Sequence, residues 1–275
     1  MTFSIVARGA DGTSFGVAVA SKFLAVGAAV PAAEAGIGAI ATQAYANLAF
    51  RPDGMAQLRG GRTAQLTLDT LVATDEKRES RQVGIVDAAG AAATFTGSEC
   101  NPWAGGLTGD GYAIQGNILV GPEVVDAMEQ AWWGSNADEP LARRLLAALV
   151  AGDDAGGDRR GRQSAALLVV TPEGGYGGGS DVFVDLRVDD HAEPVAELAR
   201  LLDLHDLYFG KPDPDTLLHL NGELASEVWA LLAKRGFVDD DLEAALAQWA
   251  GIENYEERLV PGKIDPQVLA KLREG

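Results

Sequence analysis

Short apolar stretches recur along most of the chain, and they come in pairs separated by turn residues. Residues 2–7 read as a strand, 9–12 as a turn and 15–20 as the return strand, ended by Ser21 and Lys22. Residues 36–43 form a third strand, whose small side chains suggest close backbone packing. A short helix is expected over 52–59, and Thr63 caps a longer one that presents Leu66, Leu68 and Leu71. After the solvated charge run 75–79, strands return at 82–87 and 91–96 around a turn at 88–90. Another strand follows at 111–118.

Helices are expected at 124–133 and 141–150, the second with Leu145, Leu146 and Leu149 on its apolar stripe. The Gly/Asp-rich connector 152–157 leads to a strand at 164–170, a turn at 172–175, a strand at 182–188 and a helix at 194–204. The stretch 211–214 (KPDP) is a stiff linker, and helices at 224–234, 242–249 and 266–272 follow it. Hairpins rather than single crossovers join the strands, which predicts largely antiparallel sheets. Helices that arrive in pairs predict outer layers over packed sheets. The expected class is α+β: a four-layer αββα sandwich over residues 1–207, with a small all-α domain over 208–275. So small a helical core is marginal by itself.

Composition narrows the function. Of 275 residues, 47 % are hydrophobic, enough for a substantial core, and 40 Asp+Glu against 22 Lys+Arg give a formal net charge of −18. Such a surface repels phosphate backbones and anionic membranes, so neither nucleic acid nor membrane is an expected partner. No basic segment followed by an apolar run opens the chain, and no apolar run would span a bilayer, so a cytoplasmic location is expected. The one cysteine, Cys100, has no nearby His or Lys to activate it and reads as a small packed residue. His191, His205 and His219 have no metal-ligand spacing; neither a metal nor another cofactor is expected. No nucleophile elbow, zinc-protease motif or P-loop is present.

Four features carry candidate chemistry. Thr2 stands directly behind Met1 at the head of the first strand. Removal of Met1 would place a hydroxyl nucleophile and its own amine base on one residue, and such an amine has a pKa of about 7.7–8.0. Lys22, at the end of the second strand, is a candidate to stabilise developing charge; a surface lysine is the plainer reading. Gln115 and Asn117 project from one face of their strand, where amides could donate to an oxyanion or substrate amide, or form an interior polar network. The run 158–164 (DRRGRQS) holds three arginines ahead of a buried strand. Arg160, Arg162 and Gln163 could clamp a carboxylate, or Arg160 and Arg162 could pair structurally with Asp185 or Asp189 of the last strand.

The stretches 2–8 (TFSIVAR), 16–22 (GVAVASK), 38–43 (GAIATQ), 109–117 (GDGYAIQGN), 160–167 (RGRQSAAL) and 185–191 (DLRVDDH) together resemble the bacterial domain-of-unknown-function family 1028 over roughly residues 1–207. That family is grouped with the N-terminal nucleophile (Ntn) hydrolases. The resemblance implies the αββα sandwich and amide hydrolysis by an N-terminal residue, here Thr2. Lys22 and Asn117 transfer more loosely, as an active-site residue and an oxyanion donor. In the tail, 236–237 (GF), 242–249 (LEAALAQW), 251–259 (GIENYEERL) and 264–266 (IDP) resemble the peptidoglycan-binding-like domain that follows this family's main domain. The expected function is therefore an amidohydrolase cleaving a C–N bond of a small molecule, with Thr2 as nucleophile. The alternative is a non-catalytic protein on the same fold, binding a small acid or acting as a scaffold. Symmetric dimers are common among soluble enzymes, so a homo-oligomer is expected.

Overall fold

The computed structural model describes residues 2–274. The chain divides into two compact units, Met1–Arg200 and Leu201–Gly275. The first begins with the hairpin β1 (Thr2–Arg8) and β2 (Phe15–Ser21), followed by a single turn of helix, α1 (Val26–Ala29). The hairpin closes because the Asp11 carboxylate accepts the N–H groups of Thr13 and Ser14, each at 2.8 Å, and Gly12 takes φ +75°. Next come β3 (Pro31–Glu34), β4 (Gly38–Ala44), α2 (Phe50–Arg59) and α3 (Ala64–Ala73). Thr63 caps α3 by accepting Leu66 N–H at 3.3 Å. The unit continues with β5 (Arg81–Asp87), β6 (Ala92–Thr96), β7 (Gly105–Gly109), β8 (Tyr112–Asn117), α4 (Glu123–Gly134), α5 (Leu141–Asp154), β9 (Ser164–Val170) and β10 (Val182–Val188).

The strands form two antiparallel sheets. One has six strands in the order β10-β9-β2-β1-β8-β7, and the other has four in the order β3-β4-β5-β6. β1 lies in the middle of the larger sheet, with Thr2 opposite Asn117 of β8 and Phe3 opposite Ala20 of β2. Alternation along β1 sends Phe3, Ile5 and Ala7 to one face and Thr2, Ser4 and Val6 to the other. The second face meets the smaller sheet: Val6, Val17, Val19, Ala39, Ala41 and Val86 share one buried cluster drawn from both sheets. α5 packs on β1, β2 and β9, and α4 packs on β8. α2 and α3 cover the smaller sheet, where Phe50, Leu58, Leu68 and Leu71 pack with Ile40, Val83 and Ile85.

β3, β7 and α1 were not anticipated. β7 is Gly-Gly-Leu-Thr-Gly and β3 is Pro-Ala-Ala-Glu, so neither carries an alternating apolar pattern; both are edge strands recruited by their neighbours.

α6 (Pro194–Phe209) runs into the second unit, which contains β11 (Leu218–His219), α7 (Gly222–Lys234), α8 (Leu242–Glu253), β12 (Lys263–Ile264) and α9 (Pro266–Glu274). Its core includes Val228, Leu232, Leu246, Trp249, Tyr255 and Leu269. No helix among the described residues is long and apolar enough to cross a membrane.

Candidate functional site

Thr2 starts a central strand, so its hydroxyl sits at the end of the larger sheet and faces the gap between the two sheets. Thr2 Oγ1 and Ser21 Oγ are 3.1 Å apart, on the same face of neighbouring strands. Thr2 is only 6 % exposed, and what exposure it has opens onto a cavity of about 780 Å³. Thr2, Gln43 and Asn117 line the cavity together with the apolar Val26 and Val30, while Arg160 and Glu99 lie at its exposed edge. That volume suits a small organic molecule.

A buried amide network lies beneath Thr2. Gln43 of β4 and Gln82 of β5 face each other in register and point across to the larger sheet. Gln43 Nε2 donates to the Thr2 carbonyl at 3.2 Å, to Gln82 Oε1 at 2.8 Å and to the Gln115 carbonyl at 3.3 Å. Ser4 Oγ donates to Gln43 Oε1 at 2.6 Å and accepts from Gln115 Nε2 at 2.7 Å. Asn117 Nδ2 donates to Gln82 Oε1 at 2.9 Å, and Gln82 Nε2 reaches Gly116 O at 2.7 Å and Thr96 Oγ1 at 2.8 Å. Gln115 fits because Gly84 has no side chain: a Cβ there would lie 1.9 Å from Gln115 Oε1.

Satisfied networks of this kind fix one arrangement, whereas a gap in one is costly. Replacing Gln82 with leucine removes the acceptor of Asn117 Nδ2, one of the three acceptors of Gln43 Nε2, and the donor to Thr96 Oγ1, Gly105 O and Gly116 O. It is expected to cost about 2–4 kcal/mol, measured by urea denaturation of the full chain.

The cavity edge is equally well fixed. Ser164 Oγ accepts Val26 N–H at 3.1 Å and donates to the Phe23 carbonyl at 2.5 Å, which ties the 23–26 turn to β9. Ala44 and Ile118, both lining the cavity, have φ of +64° and +53°. A left-handed β-branched residue is costly, on the order of 1–3 kcal/mol, and survives only where its surroundings enforce it. Here Ile118 N–H is held by Asn101 O at 2.9 Å, and Tyr45 N–H, following Ala44, by Ser80 O at 3.1 Å.

Asp75 secures the 45–47 loop. It accepts from Arg81 Nε at 2.9 Å and Asn47 Nδ2 at 2.8 Å, and Arg81 in turn bonds the Tyr45 carbonyl. The Arg81 guanidinium, and then the Asn47 amide, hold the Asp75 carboxyl down from 3.8 to about 2 against the effect of burial. A carboxyl lowered on folding stabilises the native state above its unfolded value. That stability is lost as pH falls from 3.8 towards about 2. Asp75→Asn should therefore be less stable at neutral pH and show a flatter acid limb in thermal melts across that window.

Of the residues singled out from sequence, Thr2, Asn117 and Arg160 line the cavity, and Gln115 lies in the network beneath it. Lys22 falls one residue past Ser21, so alternation turns it away from Thr2; its Nζ donates to the Arg162 carbonyl at 3.2 Å. Arg162 grips Asp153 of α5 at 2.8 and 2.9 Å and lies 3.4 Å from Glu193, while Gln163 bonds Asp190 at 3.1 Å. Asp189 is exposed, and its carbonyl accepts Ala25 N–H at 2.9 Å. The arginine run is thus tied to acids other than Asp185 and Asp189: Arg160 Nη2 bonds buried Asp158 at 3.3 Å and Lys22 O at 2.9 Å, and Asp185 pairs with Arg187. Ser21, Gln43 and Gln82 were not anticipated. Their signal is a polar side chain within an otherwise apolar strand, which becomes meaningful only once both sheets are assembled. Cys100 also lines the cavity; burial pushes its thiol up, away from nucleophilic use. Among the described residues no group of three or more His, Cys, Asp or Glu is placed to hold a metal ion.

The model of the family described as "Family of unknown function (DUF1028)" matches residues 2–198. The chain belongs to the DUF1028 family. A crystal structure of a DUF1028 protein from Silicibacter pomeroyi is 30 % identical, with a TM-score of 0.67, over 82 % of this chain and 92 % of that one. The cavity and the amide network of this DUF1028 chain lie wholly within the matched segment. Residues 208–272 match the family described as "Putative peptidoglycan binding domain". Anbu (ancestral beta-subunit) from Yersinia bercovieri is 12 % identical, with a TM-score of 0.34, over 74 % of this chain and 93 % of that one. No curated protein matches the chain.

Proposed function

We propose that this DUF1028 protein is an amidohydrolase of the N-terminal nucleophile type, built on an αββα sandwich, with Thr2 as its nucleophile. The observation that carries this is the Thr2 hydroxyl at the head of a central strand, on the cavity floor and 3.1 Å from Ser21 Oγ. The reading requires a free Thr2 amine, hence loss of Met1, which lies outside the described residues. Thr2 Oγ1 then attacks the substrate carbonyl carbon while the α-amino group takes its proton. The C–N bond breaks, the amine departs with that proton, and water hydrolyses the resulting ester to release the acid and restore the hydroxyl.

The network supports this chemistry by position. Gln43 bonds the Thr2 carbonyl, so the residue is held through its backbone while its side chain remains reactive. Asn117 is the side-chain amide nearest Thr2 along β8 and the favoured oxyanion donor in this reading. Lys22, directed to the Arg162 carbonyl, is given no part. Release of amine from a panel of small amides and ureido compounds tests the proposal. Turnover by the wild type that is absent from Thr2→Ala supports it, and no turnover of any compound counts against it. The second reading, a non-catalytic binder of small acids, is favoured by Arg160 at the cavity edge and predicts binding indifferent to Thr2.

A further inference from the structure

The cavity is chemically lopsided. Thr2, Gln43 and Asn117 make one polar side, while Phe23, Val26, Val30, Tyr45 and Leu48 supply apolar surface. Three of these, Phe23 at 54 %, Tyr45 at 80 % and Leu48 at 47 %, are exposed large side chains gathered around one opening. Exposed apolar groups that converge on a cavity, rather than lying scattered, mark a surface that a ligand covers. The edge carries one cation: among the described residues lining the cavity, Arg160 is the sole Lys or Arg.

Arg160 is also fixed in place. Its Nη2 donates to Lys22 O at 2.9 Å and to Asp158 Oδ2 at 3.3 Å, and its own N–H bonds Asp158 Oδ1 at 2.8 Å. Asp158 spreads its charge further by accepting Lys22 N–H at 2.7 Å. A guanidinium presents five N–H donors in a planar fork, which suits a carboxylate, and an anchored fork loses little entropy on binding one. The edge also carries one acid, Glu99, whose carboxylate accepts Ser80 Oγ at 2.8 Å.

We infer that the substrates are N-acyl carboxylates: compounds with an aryl or branched alkyl body, a central amide and a terminal carboxylate. The amide carbonyl lies at Thr2, the apolar body against Phe23, Val26, Leu48 and Tyr45, and the carboxylate on Arg160. In a chain of formal net charge −18, one placed arginine is what makes the opening acceptable to an anion. The inference rests on the hydrolase reading for what happens at the amide, but not for what binds.

Titration calorimetry on the full-length Thr2→Ala variant separates the two. The probes are phenylacetylglycine and its neutral counterpart phenylacetylglycinamide. The acid should bind about tenfold more tightly than the amide. Adding Arg160→Gln should remove that preference while the neutral amide still binds, Arg160→Lys should retain part of it, and Leu48→Asp should weaken both probes. Equal affinity for the two probes, binding of neither, or a preference that survives Arg160→Gln would overturn the inference. Glycine release from phenylacetylglycine by the wild-type protein is scored separately. Binding without release removes the hydrolase reading and leaves the ligand class standing; release with no preference for the acid does the reverse.

Discussion

Thr2→Ala is expected to reduce turnover of any amide substrate by roughly ten-thousandfold or more, the scale seen when a catalytic nucleophile is deleted. The chain should stay folded. The alanine loses the hydroxyl contact to Ser21 Oγ, worth about 1 kcal/mol, while the backbone bonds of Thr2 remain. Thr2→Ser keeps a hydroxyl and an amine on the same residue and should retain measurable turnover. Steady-state rates, compared with melting curves for the same preparations, check this. A Thr2→Ala protein as active as the wild type would assign the chemistry elsewhere in the cavity.

The largest expected effect on stability lies in the second unit. Arg258 and Asp265 form an ion pair at 2.5 Å, with side chains only 4 % and 2 % exposed. Arg258 also donates to Leu207 O at 2.6 Å and Asp206 O at 2.5 Å, carbonyls near the end of α6, where Asp206 O also accepts Gly210 N–H at 3.1 Å. Arg258→Ala leaves the buried Asp265 carboxylate without its cation and removes a donor from the Leu207 carbonyl, so the expected loss is about 3–5 kcal/mol. In a unit of this size that is most of the available stability. Urea unfolding followed through Trp229 and Trp249 should show an early transition. Arg258→Met combined with Asp265→Leu removes both charges and should recover part of the loss. A single variant that unfolds at the wild-type urea concentration would show that the pair contributes little.

Sequence patterns located elements where burial follows a simple period. β9 and β10 fall on the expected residues because β9 is apolar on both faces, and β10 alternates as the outer strand of its sheet. The Thr63 cap was legible because capping depends on a residue and its next few neighbours. What escaped is long-range. Gln43 meets Ser4 and Gln82, each 39 positions away, and Gln82 meets Asn117, 35 positions away; no local window contains those pairs. The arginine run shows the same limit. Its composition indicated an ionic network, but Arg162 is joined to Asp153 on a helix that packs behind the sheet, a partner that strand pairing alone does not suggest.

Thr2 was legible as a candidate from position, and its setting was not. The neighbours that surround it, Ser21, Gln43 and Asn117, come from β2, β4 and β8. They converge because β1 is central in its sheet and because its hydroxyl face is the one turned towards the second sheet. All three are themselves polar residues within buried strands.

Catalysis by Thr2 depends on its α-amino group being free. Intact-mass spectrometry of the purified full-length protein tests this most directly. The expected result is a single species lighter than the full sequence by one methionine residue, with Thr2 as its first residue. A protein that retains Met1 in full would contradict it, because Thr2 would then have no amine to act as its base.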